Sequence, residues 1–290
     1  MSDYASLRYT SLDGLALAAR DYPAASGPAR LPVICLHGLT RNAADFDELA
    51  PWLARQSRRV LALDVRGRGD SARDPHPANY NPVTYAGDVA KLMRDLGIAR
   101  AVFVGTSMGG LITMTLAMHH LDLVAAAVLN DIGPVMARAG LARIAGYAGK
   151  GCHVGTWEEA ATYIKDINQG AFPANMDDEW DKWARRAFTE DAAGALALRY
   201  DPHIAASLQD GKLRPTSLMA RLAFKRLARQ RPTLLIRGTL SDLVEDGQAD
   251  YMRRTAPGMQ YAEVPNVGHA PMLTEPAAQA ALERFLAQIP

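Results

Sequence analysis

The most constraining feature of this chain is Gly105-Thr106-Ser107-Met108-Gly109, set between the apolar β-like run Ala101-Val102-Phe103-Val104 and a helix-like run that begins near Gly110. A Gly-x-Ser-x-Gly at a strand-to-helix junction predicts a turn so sharp that the serine is held in a strained backbone conformation. Its hydroxyl then stands above the sheet edge, beside the first amides of the helix. Both glycines are required because a Cβ at either position collides with the neighbouring strand or helix. The five residues alone are a weak signal, since glycine and serine are common. Their setting and their partners strengthen it.

Two further β-like runs end in chemistry of the right kind. Pro232 to Gly238 runs into Thr239-Leu240-Ser241-Asp242, and Gln260 to Pro265 runs into Asn266-Val267-Gly268-His269. Asp242 and His269 therefore fall just past the C-terminal ends of strands, as Ser107 does. In an open parallel sheet that edge is where sites assemble. Upstream, Val33-Ile34-Cys35-Leu36 delivers a third turn, His37-Gly38-Leu39.

With these residues in place the chain resembles the α/β-hydrolase superfamily nearly end to end. The matching stretches are His37-Gly38, Asp64-Val65-Arg66-Gly67-Arg68-Gly69-Asp70-Ser71, Gly105 to Gly110, Gly238 to Asp242, and Gly268-His269. The resemblance implies an α/β fold, a mostly parallel, doubly wound sheet with an inserted, mainly helical cap. The expected core is residues 1–133 and 232–290, with the cap over 134–231. It also implies the chain order nucleophile, acid, histidine.

The resemblance then assigns roles. Ser107 is the nucleophile, and its hydroxyl attacks only once a base takes its proton, the task of His269. Asp242 holds the imidazole in the correct tautomer and stabilises its cation. The acid position has a competitor in Asp131, which follows the preceding strand and is the place from which some relatives take their acid; Asp242 is preferred. The backbone N–H groups of Leu39 and Met108 occupy the two oxyanion-hole positions. His37 is read as a histidine shaping the oxyanion loop, at the pocket rather than as a second base. His119, His120, His76, His153 and His203 are passed over. No metal or organic cofactor is required.

Composition agrees with one domain plus an insertion. The chain has 290 residues, 49% hydrophobic and 22% charged, with a formal net charge of +1. That balance leaves no electrostatic footprint for nucleic acid or an anionic membrane. No apolar run approaches the roughly 18 residues of a membrane span. Two cysteines, Cys35 and Cys152, cannot make a disulfide framework and are read as reduced thiols in a cytoplasmic protein. Met1-Ser2-Asp3-Tyr4 shows no signal-peptide pattern.

Along the chain, residues 4–10 and 15–22 read as a hairpin turned at Asp13-Gly14, followed by strands at 33–37 and 59–64 and a helix over 83–96 ending at Gly97. After the serine turn come a helix to about His120 and the strand Val124 to Leu129. The body closes with a strand at 233–237, a helix at 246–255, a strand at 260–264 and a helix from Pro276. Three of the four tryptophans (Trp157, Trp180, Trp183) lie in the expected cap. The stretch Asp177 to Glu190 puts Trp180, Trp183, Ala184, Ala187 and Phe188 on one helical face. Most of these aromatics are expected to dock the cap on the body, with one or two of Trp157, Trp180 and Trp183 lining a substrate pocket.

Other patterns are set aside. Arg68-Gly69-Asp70 lies inside a strand-to-helix turn, Gly67-Arg68-Gly69 lacks the third glycine of a dinucleotide fingerprint, and the basic run Arg221 to Arg231 is a solvated helix face. Relatives that are dehalogenases or epoxide hydrolases carry aspartate where this chain has Ser107. The reading is therefore a serine esterase or lactonase acting on a small, largely apolar ester. Alternatives are a carbon–carbon bond hydrolase of aromatic degradation, a lyase on the same scaffold, or a non-catalytic small-molecule receptor. Oligomeric state is not legible.

Overall fold

Strands of this chain alternate large apolar side chains to both faces, so each face needs its own covering layer. In the computed structural model, which describes residues 4–25, 27–28, 30–206 and 215–290, they receive one. The strands are β1 (Ala5–Thr10), β2 (Ala16–Tyr22), β3 (Val33–Leu36), β4 (Val60–Asp64), β5 (Ala101–Thr106), β6 (Val124–Asn130), β7 (Phe188–Glu190), β8 (Leu196–Leu198), β9 (Thr233–Gly238) and β10 (Gln260–Val264). The helices are α1 (Leu49–Ala54), α2 (Pro82–Asp95), α3 (Met108–His119), α4 (Arg138–Tyr147), α5 (Trp157–Asn168), α6 (Asp177–Ala187), α7 (Leu218–Gln230), α8 (Asp246–Thr255) and α9 (Pro276–Leu286).

Eight strands form one sheet in the order β1-β2-β4-β3-β5-β6-β9-β10. The β1–β2 hairpin and the β2–β4 pair are antiparallel, and every pairing from β4 to β10 is parallel. In β5, Phe103 packs into a core shared with α2, α3, α7 and α8, while Val102 and Val104 face the opposite core with α1 and α9. The expected α/β, mostly parallel, doubly wound architecture is what the residues form. Element ends match to within a residue or so; the helix over 83–96 runs Pro82–Asp95, and Gly97 beyond it sits at φ +66°.

Between β6 and β9 the chain leaves the sheet for α4, α5, α6 and the β7–β8 hairpin. Trp180, Trp183, Phe172, Phe188 and Ile164 form a separate apolar cluster there. Several contacts tie the excursion to the body. Asn42 Nδ2 donates to the Arg186 carbonyl at 2.7 Å. Gly268 N–H donates to Ala171 O at 2.6 Å, and Arg68 and Tyr200 pair as an isolated antiparallel bridge. Helix α7 belongs to the body: Phe224 and Leu227 are fully buried in the main core. The return to the body therefore comes by Leu218, ahead of the expected boundary at 231. Among the described residues no helix is long and apolar enough to cross a membrane.

Candidate active site

The serine turn has the predicted strain and the predicted cause. Ser107 sits at φ 51°, ψ −114°, between the end of β5 and the first residue of α3. A Cβ on Gly105 would lie 2.5 Å from the Gly109 carbonyl, and one on Gly109 would lie 2.0 Å from Leu36 O in β3. Only glycine lets the helix press this closely on the sheet, and that pressure lifts Ser107 clear of it.

His269 follows β10 and reaches back across the strand ends. Its Nε2 stands 2.9 Å from Ser107 Oγ and its Nδ1 2.7 Å from Asp131 Oδ2. The acid beside the histidine is therefore Asp131, not Asp242. Asp131 lies just past β6, the strand next to β5, and is completely buried. Its other bonds aim it: Gly238 N–H donates to Oδ1 at 3.1 Å and the Ser241 hydroxyl to Oδ2 at 2.5 Å. Ser241 in turn receives the N–H groups of Leu243 and Val244.

Asp242 points the other way. Within the turn after β9, Ser241 faces inward to Asp131, so its neighbour faces outward to α4. There Arg143 grips the Asp242 carboxylate with two bonds, Nε to Oδ2 at 2.6 Å and Nη2 to Oδ1 at 2.9 Å. Burial works against ionisation of Asp242, but the Arg143 guanidinium outweighs it and holds the carboxyl below the usual carboxylate range. The backbone of residues 242–243 also receives the N–H groups of Ala137 and Gly140. Asp242 anchors α4 to the body.

His37 lies beneath the site, fully buried, and does not line the cavity. Val65 N–H donates to its Nε2 at 3.1 Å, which fixes that nitrogen as the acceptor. Nδ1 therefore carries the proton and donates to Gly38 O at 2.7 Å. Gly38 O shares a peptide plane with Leu39 N–H, so His37 orients that donor. Burial pushes His37 from 6.5 down to about 4. Between those values the unfolded chain holds a proton that the folded chain lacks. The contribution is thus complete above about pH 6.5 and is lost as pH falls, up to roughly 3 kcal/mol at pH 4. Urea unfolding is expected to show the stability gap between wild type and His37→Asn narrowing from pH 7 to pH 4; a constant gap contradicts the assignment.

The cavity above Ser107 is narrow, about 90 Å³. Among its lining residues are Leu39, Arg41, Ile144, Tyr147, Tyr163, Phe172, Trp183, Tyr200 and His269. Of the three tryptophans expected near it, only Trp183 is in the lining. Trp180 is buried behind it, edge-on at 5.3 Å, and Trp157 lies outside, its Nε1 donating to Glu190 at 3.1 Å and its ring beneath Arg185. Amphipathic spacing identified the buried face of α6 but not which neighbour each ring would meet. Sequence reasoning also missed Asn130, whose Nδ2 donates to Thr106 Oγ1 at 3.0 Å and to Pro271 O at 2.7 Å, linking the serine strand to the histidine loop. Its position at the end of β6, beside Asp131, is the one signal the sequence offered.

A family model described as the alpha/beta hydrolase fold matches residues 32–276. The chain belongs to the α/β-hydrolase family. A 3-hydroxybutyrate-oligomer hydrolase of Cupriavidus necator is 33% identical over 262 residues, 87% of each chain. A 2-(acetamidomethylene)succinate hydrolase of Mesorhizobium japonicum is 27% identical over 261 residues, covering 84% of this chain and 82% of that one. Among solved structures, an alpha/beta hydrolase from Novosphingobium aromaticivorans superposes over 100% of both chains with a TM-score of 0.91 and 40% identity. This α/β-hydrolase is thus surrounded by hydrolases of differing substrates. No group of three or more His, Cys, Asp or Glu among its described residues is placed to hold a metal ion.

Proposed function

We propose that this α/β-hydrolase is a serine hydrolase cleaving a carboxylic ester or lactone of a small, largely apolar substrate. The observation that carries the reading is the unbroken chain of short contacts from Ser107 Oγ through His269 to Asp131 Oδ2. Asp131 accepts from His269 Nδ1–H, which leaves Nε2 unprotonated and facing the serine. Nε2 takes the Ser107 proton as Oγ attacks the acyl carbonyl. The developing oxyanion is met by the N–H groups of Leu39 and Met108, and His269 passes its proton to the departing alkoxide. Water then attacks the acyl-enzyme with the same histidine as base. The name of the Cupriavidus necator relative, a hydrolase of 3-hydroxybutyrate oligomers, supports an ester as the scissile bond.

A fluorophosphonate probe tests this directly. Stoichiometric adduct formation on the Ser107 peptide, read by mass spectrometry, is expected, with a burst of p-nitrophenol from activated esters. An unlabelled, well-folded protein points instead to a small-molecule receptor. The narrow cavity gives a second expectation, since it lies far below the roughly 300 Å³ of pockets that enclose drug-sized ligands. The kcat/KM for p-nitrophenyl acetate or butyrate should exceed that for the dodecanoate at least about tenfold. A ratio at or below one contradicts the small-substrate reading.

A further inference from the structure

Arg66 and Arg68 sit two residues apart on the turn after β4, and their surroundings differ completely. Arg66 is fully buried but meets three carboxylates, Asp13, Asp74 and Asp88. Arg68 is 1% exposed and forms no ion pair among the described residues. A buried guanidinium without a counter-ion is costly, and an apolar side chain would fill the same space without that cost. What it does with its donors is specific. Nε donates to Leu39 O at 3.0 Å, and Nη2 contacts Met108 Sδ at 3.4 Å. Nη1 donates to Arg66 O at 2.8 Å and to the Tyr85 hydroxyl at 2.9 Å. The rings of Tyr80 and Tyr85 lie 5.6 and 5.1 Å from the guanidinium carbon and supply part of the missing negative potential.

We infer that Arg68 is a positioning residue for the oxyanion hole, its planar fork locking Leu39 and Met108 against one another. The inference rests on the reading of those two residues as the oxyanion donors. The peptide on the N-terminal side of Leu39 is oriented by His37 Nδ1–H at Gly38 O. The peptide on its C-terminal side is held by Arg68 at Leu39 O. With both planes fixed, the Leu39 N–H cannot swing without breaking a buried bond. The same guanidinium touches the side chain of Met108, the first residue of α3. One rigid group thus spans a loop from β3 and a helix from β5. The backbone of Arg68 also bridges Tyr200, which lines the cavity, and Gly69 N–H donates to Arg199 O at 2.8 Å. Lysine cannot reproduce this, because a single ammonium lacks the fork.

The test compares full-length wild type with Arg68→Met, Arg68→Lys and Tyr85→Phe. Each is assayed for kcat and KM on p-nitrophenyl butyrate and for the rate of fluorophosphonate labelling. A misplacement of about 1 Å at such a site costs on the order of a hundredfold. Arg68→Met is therefore expected to lose about that much in kcat and in labelling rate, with KM within about threefold. Arg68→Lys should recover part of kcat, and Tyr85→Phe, which removes one partner of the guanidinium but not its grip on Leu39, should stay within a few-fold. If Arg68→Met does not fold, Arg68→Lys carries the test with an expected loss of roughly tenfold in kcat. Wild-type turnover with undiminished kcat in the folded Arg68 variants, or a loss confined to KM, overturns the inference and leaves the hydrolase reading intact. A wild type that neither turns over esters nor takes the probe overturns that reading, and this inference with it.

Discussion

Asp131→Asn is expected to lower kcat by roughly ten-thousandfold, while Asp242→Asn leaves it within about threefold. The size of the first effect follows from the donors around Asp131. Gly238 N–H points at Oδ1, so an asparagine carbonyl settles there and its NH₂ takes the place of Oδ2. At that place the NH₂ faces His269 Nδ1, which must then accept, and the Ser241 hydroxyl, which can accept only by giving up one of the N–H groups of Leu243 and Val244. A histidine that accepts at Nδ1 carries its proton on Nε2 and cannot take one from Ser107. The variant is expected to fold and to bind substrate, but with the wrong tautomer at His269. Asp242→Asn loses the grip of Arg143, both partners about one-third exposed, which is a change of up to about 1 kcal/mol in stability. Steady-state kinetics of the two purified variants decide the matter. Loss of activity in Asp242→Asn with retention in Asp131→Asn reverses the assignment.

Both aspartates follow strands that end at the same sheet edge, and the chain itself holds no local mark separating them. What separates them is a side-chain alternation inside the turn after β9 and an arginine, Arg143, 99 positions away in sequence. Strand ends were legible where a short apolar run closes on asparagine or glycine, as β6 does at Asn130 and β9 at Gly238. Ser107 and His269 were legible for the same reason, since a turn at a strand end has only a few residues with chemistry to offer. Rings of the excursion were not, because helical spacing says that Trp180 and Trp183 are buried and is silent on whether a cavity or another ring covers them. Arg68 was placed correctly in the turn after β4, but its burial was not legible. Its burial depends on Tyr80, Tyr85 and Leu39, which arrive from separate parts of the chain.

Gly109→Ala is expected to be the most damaging single methyl group in the body. Its Cβ would sit 2.0 Å from the Leu36 carbonyl oxygen and 2.6 Å from the carbonyl carbon, both backbone atoms of a fully buried strand. No rotamer relieves such a contact, so β3 and α3 must separate, at a cost of roughly 3–5 kcal/mol. That corresponds to a fall in melting temperature of about 10 °C or more for a chain of this size. Gly87→Ala is the control: it lies within α2 with nothing inside 4 Å of the added carbon, and it should gain roughly 0.5–1 kcal/mol. The contrast also bears on chemistry. Leu39 leaves the end of β3 and Met108 opens α3, so the gap that Gly109 closes is the one across which the two proposed oxyanion donors face each other. Whatever Gly109→Ala protein remains folded should therefore lose fluorophosphonate reactivity along with stability, whereas Gly87→Ala should label at the wild-type rate. Scanning calorimetry and labelling on the same samples read both effects. A Gly109→Ala protein that melts with wild type would show that β3 and α3 do not approach as closely as their glycine demands.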